Sequence, residues 1–334
     1  MGAELKEIRI GLPKGSLNTP GRANTYEILT NAGYDVRGYE PGKESAKVDI
    51  ANDPEIRAFI TRPQRSPVDL SKGFLDTAII GDDWVEEDRV NGSRSVRKIG
   101  DLEYGQTRLI IAVSEPSDFQ SLSDVFEALR DKKKRKPIYF STEYVNLTAR
   151  AILQNEAYRE IFGLVSPFVQ YRGMTRGRNR LVQILGSDGA TEQSIEMGYA
   201  VISDNSQTGR SLRENRLRAI DEIMESSVGL YAGPSCKGWK EVKAQEIFDQ
   251  LYGAVVGKKY FDVKFNVPLP RLDELREYLV EEGLCADEPT IIQMKKFAAV
   301  NILIRRNRFP STLQELRRLG ASTVVRSEVK QYIE

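Results

Sequence analysis

Histidine is missing altogether from the 334 residues, and cysteine occurs only twice, at Cys236 and Cys285. Nucleophilic catalysis of the Ser-His or Cys-His kind is thereby excluded, a zinc site of the usual Cys/His composition cannot be assembled, and a disulfide framework is not expected. No apolar run approaches the roughly 20 residues needed to span a bilayer. Met1-Gly2-Ala3-Glu4-Leu5-Lys6 lacks the charged-then-apolar order of a secretory signal, so a cytoplasmic protein is expected. An excess of charge is lacking too. The 49 basic and 48 acidic residues leave a net +1, which supplies no broad electrostatic reason for nucleic acid or an anionic membrane as partner. The one strong basic cluster, Lys132-Lys133-Lys134-Arg135-Lys136, precedes a proline and a strand-like segment and reads as a solvated loop. What remains for chemistry is carboxylates, lysines, arginines, backbone dipoles, or a metal brought with a substrate.

A hydrophobic fraction of 40% is enough for real cores, and the length allows two or three domains. In the first third, Glu7 to Leu12, Ile56 to Thr61 and Leu75 to Gly81 read as strands and Gly21 to Ala32 as a helix, an α/β pattern with mostly parallel pairing. A second unit begins near Tyr104-Gly105-Gln106-Thr107-Arg108, with strands at Leu109 to Val113 and Pro137 to Ser141. Ser227 to Tyr231 reads as a strand returning to the first unit. Two α/β lobes connected by crossing strands would place a ligand cleft between them, at the carboxyl ends of their strands. Glu241 to Val256 is predicted helical, with Ile247, Leu251 and Val255 on one face. Beyond Gly257 the order is strand (Tyr260 to Val267), helix (Arg271 to Glu282), strands (Thr290 to Ile292, Ala298 to Ile304), helix (Ser311 to Leu319) and strand (Ser322 to Arg326). That βαββαβ order is the ferredoxin-like module, fit for effector binding or for oligomerisation. The expected domains are therefore lobe I over 1–104 and 225–256, lobe II over 105–224, and the ferredoxin-like domain over 257–334.

The segment Asp204-Asn205-Ser206-Gln207-Thr208-Gly209-Arg210-Ser211 carries the sharpest chemical signal. It follows the apolar run Ala200-Val201-Ile202 and leads into Leu212-Arg213-Glu214-Asn215, so it reads as strand, tight turn and helix start. Gly209 lets backbone approach an anion, the first N–H groups of a helix point at it, Thr208 and Ser211 add hydroxyl donors, and Arg210 adds charge. Together these suit a sugar 5-phosphate, with Asp204 suited to a ribose hydroxyl or a metal-bound water. An ordinary turn with Thr208 or Ser211 as N-cap is the competing reading.

Three further groups of residues join this loop. Ile10-Gly11-Leu12-Pro13-Lys14-Gly15-Ser16-Leu17, Arg62-Pro63 and Leu75-Asp76-Thr77-Ala78-Ile79-Ile80-Gly81 with Glu86-Glu87 form the first. Tyr104 to Leu109, Ser141-Thr142-Glu143-Tyr144 and Gly189-Ala190-Thr191-Glu192 form the second, and Glu288-Pro289-Thr290-Ile291 with Leu319-Gly320-Ala321-Ser322 the third. In this order and spacing they resemble the long form of ATP phosphoribosyltransferase, the first enzyme of histidine biosynthesis, across essentially the whole chain. The resemblance implies two α/β lobes like those of periplasmic binding proteins, plus a regulatory ferredoxin-like domain. It implies transfer of phosphoribosyl from phosphoribosyl pyrophosphate to N1 of ATP adenine, with Mg2+ held mainly through substrate phosphates and Glu192 and Asp204 as candidate contacts. Thr208, Gly209, Arg210 and Ser211 are then expected on the 5-phosphate, with Asp204 beside the ribose; Lys14, Glu192 and Asp204 are the catalytic candidates. Lys14, Gly15, Arg62 and Arg108 are expected to meet ATP or pyrophosphate. Histidine is the implied inhibitor, bound near Pro289, Thr290 and Ala321, and the implied assembly is a homodimer that associates into a hexamer.

Several positions depart from the family pattern. Gly198 to Asp204 is one residue short, Arg65 replaces a common aspartate, Val145 a common proline, and Lys295 to Val300 lacks the usual tryptophan. The altered residues around Arg65 and Val201 motivate one alternative, a paralogue acting on a related purine nucleotide in a nucleoside natural-product pathway; a second, a non-enzymatic two-lobe ligand-binding protein, follows from the architecture, which also serves as a solute-binding clamp.

Overall fold

The computed structural model describes residues 6–20, 24–43, 45, 47–92, 95–284 and 289–333. Sequence readings that fall on Met1 to Leu5, Gly21 to Ala23, Cys285 and Glu288 lie outside the described residues. Contacts divide the chain into two compact units, one comprising the described residues up to Thr25 together with Arg37–Ala244, the other Tyr26–Val36 together with the residues from Gln245 onward.

Within the first unit, the apolar runs of the first third become a five-stranded sheet. Ile8–Pro13 pairs in parallel with Ile56–Thr61 on one side and Thr77–Gly81 on the other. Val228–Ala232 then adds antiparallel, and Arg97–Asp101 forms the far edge. Ile8, Ile10 and Leu12 are fully buried on one face. On the other, a Cβ at Gly11 would come within 2.8 Å of Leu75, so the position has no room for a side chain. Burial on both faces is why these strands read as continuous apolar runs rather than alternating ones. Beneath the sheet the buried Asp76 accepts from Arg9 and Lys240, whose hydrogen bonds outweigh burial and hold its carboxyl down to about 2.

The second sheet of this unit runs Met174–Arg176, Pro167–Tyr171, Asn179–Gly186, Ile138–Thr142, Val201–Ser206, Thr107–Ser114, Leu217–Ser226. Ile111, Val113, Phe140, Val182, Ile184 and Val201 form its core with Phe126 and Tyr158. The chain enters this lobe along Thr107–Ser114 and leaves along Leu217–Ser226. The two crossing strands pair antiparallel, with Thr107 opposite Ser226 and Leu217 opposite Ser114. Sequence periodicity passed over Leu217–Ser226 for a physical reason: the register shifts between Ala219 and Asp221 and again between Glu222 and Met224, breaking the period of two. The basic run behaves as a solvated loop, with Lys132, Lys133, Lys134 and Lys136 exposed and only Arg135 folded back, donating to the Leu129 carbonyl at 2.6 Å and lying over Phe162.

The second unit carries a four-stranded antiparallel sheet in the order Thr290–Gln293, Phe297–Arg305, Tyr260–Pro268, Ser322–Glu328. Helices Leu272–Glu281 and Phe309–Arg318 follow the first and third of its strands in chain order, so the βαββαβ order expected from periodicity is the order found. Phe261, Val263, Phe265 and Val267 alternate into the core against Leu272, Leu275, Leu279 and Leu316. The helix Trp239–Gly257 extends the expected one at both ends and buries Ile247, Leu251 and Val255. Among the described residues no helix is long and apolar enough to cross a membrane.

Candidate active site

The parallel strands of both lobes end on the segments that carry polar chemistry. Lys14-Gly15 follows Ile8–Pro13, Arg62-Pro63 follows Ile56–Thr61, and Asp82-Asp83-Trp84 follows Thr77–Gly81. In the other lobe Glu143-Tyr144 follows Ile138–Thr142, Ser187 to Thr191 follows Asn179–Gly186, and Gln207 to Ser211 follows Val201–Ser206. Carboxyl ends of parallel strands leave their last backbone groups free and splay outward, which is where α/β sheets bind ligands. Two adjoining cavities open there. The first, about 860 Å3, contains the whole Asp204 to Ser211 segment with Glu192; the second, about 420 Å3, contains Lys14, Gly15, Arg62, Glu143 and Tyr144. Ser16, Pro63, Trp84, Asp204 and Asn205 line both.

In the first cavity Gly209 adopts φ 66°, a left-handed conformation that suits glycine, and turns the chain from strand into the helix Arg210–Glu214. That helix is only five residues long, so the backbone N–H groups themselves matter more than an axial dipole. Two of the loop's polar side chains are engaged with carboxylates: Arg210 pairs with Glu214 at 2.7 Å, and Ser211 Oγ donates to Glu192. Glu192 lies on the 3-10 turn Thr191–Ile195. Asp204 is partly buried and accepts from the Asn205 N–H at 2.7 Å. Burial, reinforced by the charges of Glu192 and Glu143, pushes its carboxyl up to about 7. Such clustered carboxylates suit a cation, yet among the described residues no group of three acidic or sulfur ligands is arranged to hold a metal ion directly. The donor set therefore fits an ion that arrives on phosphate and is met through water.

In the second cavity Lys14 donates its backbone N–H to the Thr61 carbonyl at 2.9 Å, and Gly15 turns away at φ 96°. The side chains of Lys14 and Arg62 are exposed and have no ion-pair partner among the described residues. Across the cleft Gln64 donates to Glu143 at 3.1 Å. Behind the seam shared by the cavities, Asp83 is 3% exposed and accepts from the Tyr144 hydroxyl at 2.6 Å, the Asn205 amide at 2.8 Å and the Ser226 hydroxyl at 3.1 Å. Burial and the Asp83 charge push the Tyr144 phenol well up. Trp84 stacks on Tyr144 with ring centroids 4.2 Å apart.

A second tie joins the lobes. Glu87, on the helix Asp82–Val90 of the first lobe, accepts the backbone N–H groups of Asn146 and Leu147 at 2.8 Å each, the free donors at the start of helix Val145–Gln154 in the second lobe. Burial pushes Glu87 up to about 7 against the pull of these donors and of Arg176.

Other expected site residues fall elsewhere. Arg108 does not line the cavity of Lys14 and Arg62; it pairs with Glu222 at 3.4 Å and lines a third cavity, of about 410 Å3, with Asp82, Gln106 and Glu225, which shares Thr107, Gln207 and Ser226 with the larger cleft cavity. Its strand is the crossing one, and the side chain leaves the sheet toward the outer partner strand. In the second unit Pro289 and Thr290 line a cavity of about 450 Å3 with Arg305 and Arg308. Ala321 precedes the strand at the opposite edge of that sheet, with two strands between it and Thr290. Sequence reasoning missed Asp83, Trp84 and Glu87 as site-forming residues. The signal was present, since Asp83-Trp84 directly follows a fully buried parallel strand.

The sequence profile of the ATP phosphoribosyltransferase family matches residues 62–253. The ATP phosphoribosyltransferase of Pelotomaculum thermopropionicum is 29% identical over 332 residues, covering 96% of each chain. That of Desulforudis audaxviator is 28% identical over 340 residues, covering 98% of this chain and 99% of its own. Among solved structures, the ATP phosphoribosyl transferase (HisG:HisZ) complex from Thermotoga maritima shares the fold, with a TM-score of 0.52 at 18% identity over 74% of this chain and 97% of that one. With its profile matched over more than half the length and its relatives aligned from end to end, the chain belongs to the ATP phosphoribosyltransferase family.

Proposed function

We infer that the two-lobe cleft is where this ATP phosphoribosyltransferase performs its step of histidine biosynthesis. Adenine N1 uses its own lone pair to form a bond to the anomeric carbon of phosphoribosyl pyrophosphate as the bond to pyrophosphate breaks and its electrons leave with that group. No general base is needed for the bond-forming step, which suits a chain without histidine. Positive charge grows on the ribose ring and negative charge on the leaving group, so catalysis rests on charges held in place beforehand. The observation that carries this reading is the division of the cleft: the Asp204 to Ser211 segment lines one cavity, Lys14 and Arg62, which make no ion pair among the described residues, the other, and Asp204 lines both. Thr208, Gly209, Arg210 and Ser211 hold the 5-phosphate; Asp204 and Glu192 hold ribose hydroxyls and meet hydrated Mg2+ carried by the pyrophosphate. Bound there, the ion would neutralise the departing pyrophosphate. Lys14, Gly15 and Arg62 take the pyrophosphate or ATP phosphates. Arg108 serves only if it leaves Glu222.

Incubating the protein with ATP, phosphoribosyl pyrophosphate, Mg2+ and pyrophosphatase should yield phosphoribosyl-ATP by mass. Turnover confined to another purine nucleotide would overturn the acceptor assignment. The second unit is proposed to bind free histidine and to inhibit, and the chain to work as a homo-oligomer, a dimer that associates into a hexamer. The cytoplasm is the compartment that supplies both substrates.

A further inference from the structure

We propose that Trp84 is the surface on which the adenine of the acceptor nucleotide stacks, positioning N1 for attack. The inference rests on the reading of the cleft given above and adds the residue that recognises the base. If the phosphoribosyl group is anchored in the larger cavity and the nucleotide phosphates in the smaller, the reacting carbon and nitrogen must meet at the seam. Five residues line that seam, and Trp84 alone among them presents an aromatic ring. A purine in a water-accessible cleft gains a substantial, sequence-tolerant part of its affinity by laying its face on such a ring.

Tyr144, the other aromatic of the smaller cavity, is 2% exposed and has its hydroxyl committed to Asp83 and Asn205, so it can back a platform but not serve as one. Trp84 is only partly buried. Its ring is held by the stack on Tyr144, and Tyr144 by the buried Asp83, to which the crossing strand's Ser226 also donates. The platform is thus oriented before any ligand arrives, and little ordering remains to oppose binding. Stacking recognises an aromatic face without reading its edge, so Trp84 would select a base-bearing acceptor over inorganic polyphosphate and leave the choice between purines to other contacts.

Trp84 and Trp239 are the two tryptophans of the chain, which makes the test direct. In full-length Trp239→Phe protein Trp84 is the sole tryptophan, and excitation at the red edge, where tyrosine does not absorb, isolates its emission. ATP and AMP should change its emission saturably, whereas inorganic tripolyphosphate and ribose 5-phosphate should not. Trp84→Ala should raise the KM for ATP about tenfold, with a smaller effect on kcat and an unchanged calorimetric affinity for phosphoribosyl pyrophosphate. Trp84→Phe, which keeps a stacking face, should stay within about threefold of the parent. An emission blind to saturating ATP in a preparation that turns ATP over would overturn the proposal, as would an unchanged KM in folded Trp84→Ala. If Trp84→Ala fails to fold, the Trp239→Phe titration decides alone. Absence of any product from ATP with the unsubstituted protein would instead sink the reaction reading itself.

Discussion

At the scale of single residues, carboxylates cluster in the cleft beside the loop proposed for phosphoribosyl pyrophosphate. Asp204 is pushed up to about 7 by burial and by two neighbouring acids, so near neutral pH it is only partly ionised. Hydroxyls and a hydrated cation both prefer the anion, so binding should pull the proton off. The affinity for phosphoribosyl pyrophosphate with Mg2+ is therefore expected to rise as pH increases through about 7, with proton release. Calorimetry at pH 6.5 in buffers of different ionisation enthalpy measures this directly. Release that persisted in Asp204→Asn would assign the proton to another group. Arg210 and Ser211 are likewise held by Glu214 and Glu192, so a 5-phosphate gains them only by competing with those acids. Arg210→Ala with Ser211→Ala should still weaken binding of this substrate by roughly tenfold, because charge-assisted donors are lost. Unchanged affinity would reduce the loop to a helix start.

Among the elements, the most consequential contact is the one between Glu87 and the start of helix Val145–Gln154. The helix lacks a side-chain cap of its own at Tyr144 and borrows a carboxylate from the other lobe. An unfolded glutamate titrates near 4.3, while folded Glu87 titrates near 7. Between those values the native state keeps a proton the unfolded chain has lost, so this group's contribution is full below about 4.3 and is lost as pH rises to about 7. In Glu87→Gln the pH-dependent part should vanish. A carboxamide offers one acceptor oxygen to two donors, so an additional cost of about 1 kcal/mol is expected. Urea denaturation at pH 5 and pH 8 separates the two effects; a variant with the parent's full pH dependence would show that Glu87 is not the titrating group.

For the whole molecule, the questions are regulation and assembly. The cavity lined by Pro289, Thr290, Arg305 and Arg308 presents the Arg305 charge to a carboxylate, Arg308 being paired with Glu282, and histidine is the ligand proposed for the second unit. One small molecule in this cavity cannot also reach Ala321, which lies beyond two intervening strands spaced about 4.8 Å apart. Histidine at millimolar concentration should bind the intact protein by calorimetry and reduce its activity several-fold, corresponding to a coupling of about 1–3 kcal/mol. Thr290→Trp should fill the cavity and abolish that binding while basal turnover persists. Failure of histidine to bind would end the regulatory reading and leave the catalytic one standing.

The class and order of the elements are written locally along the chain. Apolar runs such as Ile8 to Leu12 and the alternation of Tyr260 to Val267 are local consequences of burial on two faces or on one, and they are legible without neighbours. The residue composition also determined which chemistry was out of reach, because a chain without histidine must work through charges and backbone donors. The strand, turn and helix start over Asp204 to Ser211, proposed for the 5-phosphate, were legible because they are one continuous segment. Only the tertiary structure decided which charges share a cavity. Arg108 and Arg62 look alike in sequence, yet one pairs across the crossing strands and the other follows a strand end without a close ion pair among the described residues. It also decided that Asp83, Trp84, Tyr144 and Asn205 form one linked group, and that Glu87 caps a helix beginning 58 positions later in the chain. Such groupings depend on long-range pairing between lobes, for which no local pattern of residues carries a signal.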